Sequence, residues 1–198
     1  MFFRQLLTFD HWLRANKLSL NYNKTTFMLL TSRKHNPASF KVIINNHNIS
    51  PEDNLKYLGV LLDKKLSWKP HVQKVKTQLA RACGILSKLK HYTILPVLKV
   101  VYNSLIHPYL NYSILNWARV SNATIQPLIK LPNKAIKIIN PTNTGSLEHF
   151  QHLNILCLPK LRSFSVGKFM HSRHNKLLPI ILMNILFHSA QFIITPQD

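Results

Sequence analysis

A chain of 198 residues with 26 Lys and Arg against 6 Asp and Glu carries a net charge of +20, and it repels itself unless a polyanion is at hand. A hydrophobic content of 46% excludes wholesale disorder, and only four glycines exclude a loop-rich scaffold. Two widely separated cysteines, Cys83 and Cys157, exclude a disulfide framework and suit reduced thiols.

The charge is unevenly placed. No carboxylate lies between Asp63 and Glu148, whereas Lys and Arg recur throughout that stretch from Lys64 to Lys137. A solvated face normally mixes both signs, so a long one-sign stretch points to a surface that follows phosphates. Residues 1–7 contain no long apolar run of the secretory kind. The longest apolar run, Leu177 to Phe187, is broken by Pro179 and Asn184 and is too short to span a bilayer. These features predict a nuclear or cytoplasmic protein that is not secreted and has no membrane partner.

In chain order, residues 3–16 read as an amphipathic helix with Leu6, Leu7, Trp12 and Leu13 on one side. Leu18 to Asn21 alternates like a short strand, and Thr25 to Thr31 reads as a second strand after an Asn21–Lys24 turn. Phe40 to Ile44 and Asn48 to Ser50 flank Asn45-Asn46-His47 as a hairpin. Pro51 to Asn54 reads as a turn, and Leu55 to Leu62 as the strongest strand in the chain.

From Lys69 the period becomes helical. Val72, Val75, Leu79, Ala82, Leu86 and Leu89 form a core stripe, Ser67 can cap the helix, and Pro70 falls where a first-turn proline is tolerated. Lys74, Arg81 and Lys88 repeat every seven residues and form a second, nearly straight stripe beside the apolar one. Helical segments follow over 94–106 and 110–118, interrupted by His107-Pro108, and over 125–139, weakened by Pro127 and Pro132. A linker over 141–146 precedes helices over 147–161 and 164–178.

Three ordered phrases are more specific than composition: Trp12 to Thr25 (WLRANKLSLNYNKT), Tyr57 to Val72 (YLGVLLD running into LSWKPHV), and Val101 to Tyr112 (VYNSLIHPYLNY) with Trp117 behind. Together they resemble the end of the palm, the primer grip and the thumb of non-LTR (LINE, jockey-like) retrotransposon reverse transcriptases. The resemblance runs over roughly residues 3–180. It implies an α+β fold, predominantly α, with a small antiparallel β-rich palm remnant over 1–66. A basic helical thumb over 67–140 and a helical post-thumb region over 141–198 with a frayed C-terminus would follow.

The resemblance also implies roles. Lys24, in Asn-x-x-Lys-Thr, matches the family's motif D lysine, a proton donor to departing pyrophosphate; an exposed turn lysine is the alternative. Tyr57, Leu58, Gly59 and Val60 match the primer grip, a hairpin that sets the primer's 3′ end, where Gly59 admits close approach of a backbone; a glycine-marked bulge in a core strand is compatible with it. Lys69, Lys74, Arg81 and Lys88 are expected to contact nucleic acid. Trp68 is expected at the thumb base, either in its core or stacked on a base.

Polymerases of this class hold two Mg²⁺ ions on palm carboxylates, including a Tyr-x-Asp-Asp strand, and this sequence contains no such motif. On the family pattern the chain opens shortly after that strand. The expectation is a reverse-transcriptase fragment that binds an RNA–DNA or RNA template–primer duplex and is inactive alone, with Mg²⁺ required only by the complete polymerase. A domesticated nucleic-acid-binding or protein-interaction module is one rival. A subunit completed in trans by the missing palm and fingers is the other. His149, His152 and Cys157, or His171 and His174, lack the ligand set of a structural zinc site, and no metal is expected.

Overall fold

The structure is a computed structural model that describes residues 11–30, 41–118, 120–141, 150–180 and 182. Chain contacts divide it into two compact units, Met1–His71 and Val72–Asp198. It is α+β and predominantly α, with small sheets in the first unit and helices in the second.

In the first unit, residues 11–15 are helical. That helix ends when Lys17 turns left-handed (φ 55°), with Leu18 N–H donating to Leu13 O and Lys17 N–H to Arg14 O. This stop consumes the residues expected to start a strand. Leu18 to Asn21 is irregular, and Asn21 instead caps a single 3₁₀ turn, Tyr22–Lys24. Strand β1 (Thr26–Phe27) is shorter than expected; Thr31 and the beginnings of the first helix and of the hairpin strand lie outside the described residues.

Strands β2 (Val42–Ile44) and β3 (His47–Pro51) form the expected hairpin, with Val42 opposite Ile49 and Ile44 opposite His47. Its loop is Asn45-Asn46, both at positive φ (47° and 62°), the two-residue turn that asparagine tolerates best. β1 pairs parallel to β3, giving the order β1-β3-β2. Val42, Ile44 and Ile49 form its buried centre, with Leu20, Tyr22 and Phe27 packed against them.

The expected single strand over 55–62 is instead two. β4 (Asn54–Tyr57) and β5 (Val60–Asp63) pair antiparallel around a Leu58-Gly59 turn, with Tyr57 opposite Val60. The residue pattern alone reads as one strand with Gly59 as its only turn signal, and a hairpin here was implied only by the family resemblance.

Helix α1 (Lys69–Leu89) buries Val72, Val75, Leu79, Ala82 and Leu86 as the periodicity requires, and Cys83 with them. Ser67 contributes to its entry, its Oγ lying 3.4 Å from Lys69 N, but Asp63 does more. Its two carboxylate oxygens accept the N–H groups of Ser67 at 3.1 Å and Trp68 at 3.0 Å. Trp68 is half-buried at φ 61° and does not join the core.

In the second unit, α2 (Leu95–Leu105), α3 (His107–Asn111) and α4 (Ile114–Trp117) follow, then α5 (Asn122–Ile139) and α6 (Leu158–His174). His107-Pro108 opens α3 because proline fits a helix's first turn. The break expected there is present at Ile106, between α2 and α3, and a second one falls at Ser113, whose φ is 56°. α5 runs unbroken through Pro127 and Pro132. Each proline removes a helical hydrogen bond at a cost of about 3 kcal/mol, and Pro132 offsets this by full burial.

The helix expected over 147–161 stops early. Asn154 at φ 52° lets Ile155 N–H reach Phe150 O, which closes the segment before α6 begins at Leu158-Pro159. α2 packs on α5 and α4 on α6. Trp117 is fully buried and donates its indole N–H to Tyr112 O at 2.7 Å, and Tyr102 is buried beside the same core. Among the described residues no helix is long and apolar enough to cross a membrane.

Candidate nucleic-acid interface

Three pieces carry the residues singled out from the sequence, and each is positioned by its own local chemistry. The first is the turn that bears Lys24. Asn21 Oδ1 accepts Lys24 N–H at 3.2 Å, and Thr25 Oγ1 donates to Asn21 O at 2.7 Å. Tyr22 stacks on His47 with ring centroids 4.1 Å apart, and Asn45 Nδ2 donates to the Tyr22 hydroxyl at 3.0 Å. The turn is thereby locked onto the β2–β3 hairpin while Lys24 itself is exposed. An exposed turn lysine is what the geometry shows.

The second piece is the β4–β5 hairpin, which brings Tyr57, Leu58, Gly59 and Val60 together as one turn. Leu58 (φ 45°) and Gly59 (φ 84°) are both left-handed, the arrangement whose twist matches flanking strands. Glycine adopts it freely. A leucine there costs roughly 1–2 kcal/mol, and Leu58 is 70% exposed, so burial does not offset the strain. Tyr57 is 60% exposed beside it, whereas Val60 is buried and anchors the turn. Two large side chains thus stand mostly exposed on one short turn, one of them at a left-handed position that leucine rarely adopts.

The base of that projection is held firmly. Lys64 Nζ meets Asp53 Oδ2 at 2.8 Å, Lys64 N–H donates to Asp53 O at 3.0 Å, and Leu61 N–H points to Nδ1 of buried His71 at 3.4 Å. Burial alone would raise the Asp63 carboxyl. Donors from Ser67, Trp68 and Lys65 outweigh it and hold the group below its ordinary value.

The third piece is the solvent face of α1. At about 100° per residue, Lys74, Arg81 and Lys88 fall within a 40° arc. The buried side chains centre roughly 140° away, so the cations run along the outer face rather than beside the apolar stripe. Arg81 and Lys88 are exposed and Lys74 partly so. Thr77, Gln78, Gly84 and Ile85 flank the row within about 60° of its centre, and the helix contains no acid. Lys69 is exposed but lies about 140° around the axis from Lys74. It belongs to the helix and not to the stripe.

Three carboxylates lie among the described residues, and they do not suit a two-magnesium centre. Asp53 is paired with Lys64, Glu52 is exposed, and Asp63 is committed to backbone N–H groups. No group of three or more His, Cys, Asp or Glu gathers among the described residues. Of the histidine clusters considered above, His149 lies outside them. Two features escaped the sequence reading: the left-handed Leu58 and the capping role of Asp63. Only the Asp-x-x-x-Ser-Trp spacing before a helix hinted at the latter.

Comparison with known proteins finds similarity to the probable RNA-directed DNA polymerase from transposon X-element of Drosophila melanogaster. Identity is 25% over 139 residues, covering 66% of this chain. The match spans 14% of that protein's length. No family model and no solved structure matches the chain. The similarity supports a reverse-transcriptase-like relationship at the level of the sequence.

Proposed function

We propose that this chain is the primer-grip and thumb portion of a non-LTR retrotransposon reverse transcriptase, and that it binds a template–primer duplex without polymerising on its own. One observation carries the reading: the outer face of α1, where Lys74, Arg81 and Lys88 lie in line with no acid in the helix. Successive cations of the stripe rise about 10.5 Å apart. Such a row neutralises phosphates of a helical backbone and reads no sequence.

The hairpin supports the same reading from a different direction. A primer terminus presents a sugar and a base face, and Tyr57 and Leu58 offer an aromatic ring and a methyl cluster on a fixed turn. The left-handed Leu58 then makes physical sense as strain kept for contact. Lys24 is the proposed proton donor of the complete enzyme, and the palm carboxylates belong to the portion this chain would join. RNA–DNA and RNA duplexes are the proposed partners, with the palm and fingers portion as protein partner.

The test is fluorescence anisotropy of a labelled RNA–DNA duplex with a recessed primer end, titrated at several salt concentrations. The reading expects affinity to fall steeply with salt and to favour the recessed end over a blunt duplex. Absent or salt-independent binding would refute it. Primer extension with Mg²⁺ should be absent for the chain alone.

A further inference from the structure

A second basic feature lies on the other side of α1 and belongs to no residue set discussed so far. Lys130, Lys134 and Lys137 of α5, with Lys90 just past the end of α1, surround a shallow depression of about 370 Å³. All four lysines are exposed. Among the described residues of this unit there is no carboxylate to balance them. Four ammonium groups around one small depression repel one another, and an anion relieves that repulsion.

The spacing selects the anion. Lys130, Lys134 and Lys137 fall within about 60° of arc and span about 10.5 Å along α5. That length equals the axial rise of about three phosphates at roughly 3.4 Å per nucleotide of one strand. The depression is distinct from the α1 stripe. Cys83, whose Sγ reaches Leu131 O of α5 at 3.5 Å, lies about 160° around α1 from Arg81. α5 therefore sits behind the stripe, and one straight duplex along the stripe does not reach Lys130, Lys134 and Lys137.

We infer that Lys90, Lys130, Lys134 and Lys137 form a second phosphate-binding track, which takes a separate single strand of polynucleotide while the stripe on α1 holds the duplex. The inference rests on the duplex-binding reading for its first site, yet the two fail separately. The experiment is native mass spectrometry and salt-dependent anisotropy of the full chain with a short single-stranded oligonucleotide and an RNA–DNA duplex, alone and together.

The wild-type chain should hold one duplex and one strand at once. The variant Lys130→Gln/Lys134→Gln/Lys137→Gln should lose the strand and keep the duplex, with the strand's log–log salt slope reduced by about 2. The matching Lys→Arg variant should retain the strand, which separates charge from a folding defect. Loss of the duplex in Lys74→Ala/Arg81→Ala/Lys88→Ala, with the strand retained, supports both sites. A duplex and a strand that each bind alone but never together, or a strand that survives the Gln variant, overturns the second track. Inorganic tripolyphosphate bound at the depression with no strand bound there would also overturn the polynucleotide assignment. If the duplex fails to bind while the strand is lost only in the Gln variant, the track stands and the duplex reading falls.

Discussion

The two units solve opposite problems. The first buries only a small centre, Val42, Ile44 and Ile49, and depends on turns and hydrogen bonds to hold short strands in place. The second buries Leu79, Leu86, Tyr102, Ile106, Leu110 and Trp117 almost completely, and its exposed charges are all lysine and arginine among the described residues. Shape is thus specified by backbone chemistry in one and by packing in the other. The contrast teaches where function is exposed to mutation: in the first unit at strained turn residues, in the second at surface charges that packing does not need.

The largest expected effect breaks the helical unit. Trp117→Ala empties a fully buried site and cuts an indole hydrogen bond, and it should cost about 3–5 kcal/mol. Urea unfolding followed by far-UV circular dichroism would show a midpoint moved strongly down. A shift under about 1 kcal/mol would mean that this core is not where the unit's stability lies.

Next come the hairpin residues, where stability and binding should part company. Gly59→Ala places a Cβ at φ 84° and should cost about 1–2 kcal/mol. Leu58→Asn puts a residue tolerant of the left-handed region at φ 45° and should leave the fold as stable or better. The same Asn variant should weaken binding of a recessed primer end while sparing a blunt duplex. Equal loss on both substrates would detach the turn from primer holding.

Asp63 gives a smaller effect with a pH signature. Asp63→Ala removes the acceptor of two N–H groups at the entry to α1 and should cost about 1 kcal/mol. Because the folded carboxyl sits below its ordinary value, its contribution is present above the unfolded value. It is lost as pH falls through the folded one. Melting temperature against pH should therefore drop into the acid range for the wild type and less steeply for Asp63→Asn. Parallel curves would contradict the capping role.

The smallest effect has the opposite sign. The Tyr102 hydroxyl is buried without a hydrogen-bond partner among the described residues, and burial pushes its ionisation far above the ordinary range. Tyr102→Phe should be neutral to about 1 kcal/mol stabilising, as read by thermal denaturation. A marked loss would reveal a partner for that hydroxyl.

The same contrast explains what the sequence let a reader see. α1 was legible almost residue by residue, since a 3.6-residue apolar period over 21 positions has few other solutions. The Asn45-Asn46 turn was legible because its residues name its geometry. The Leu58-Gly59 turn was hidden from the residue pattern, because leucine announces a strand and here occupies a turn, and only the family resemblance implied a hairpin there. The helix over 125–139 was legible despite Pro127 and Pro132, and full burial of Pro132 offsets part of their local cost. The strain at Leu58 and the stop at Asn154 depend on backbone angles that composition does not express. For the interface, the heptad of cations was visible. The depression lined by Lys90 and the α5 lysines needed two helices placed side by side.

The central claim is that the outer face of α1 follows phosphates, and the salt dependence of duplex binding tests it most directly. Affinity for an RNA–DNA duplex should be measured across salt for the wild type and for Lys74→Ala/Arg81→Ala/Lys88→Ala. The account predicts a log–log slope shallower by about 2–3 in the variant, with affinity near 0.1 M salt lower by on the order of a hundredfold. An unchanged slope with unchanged affinity would contradict it.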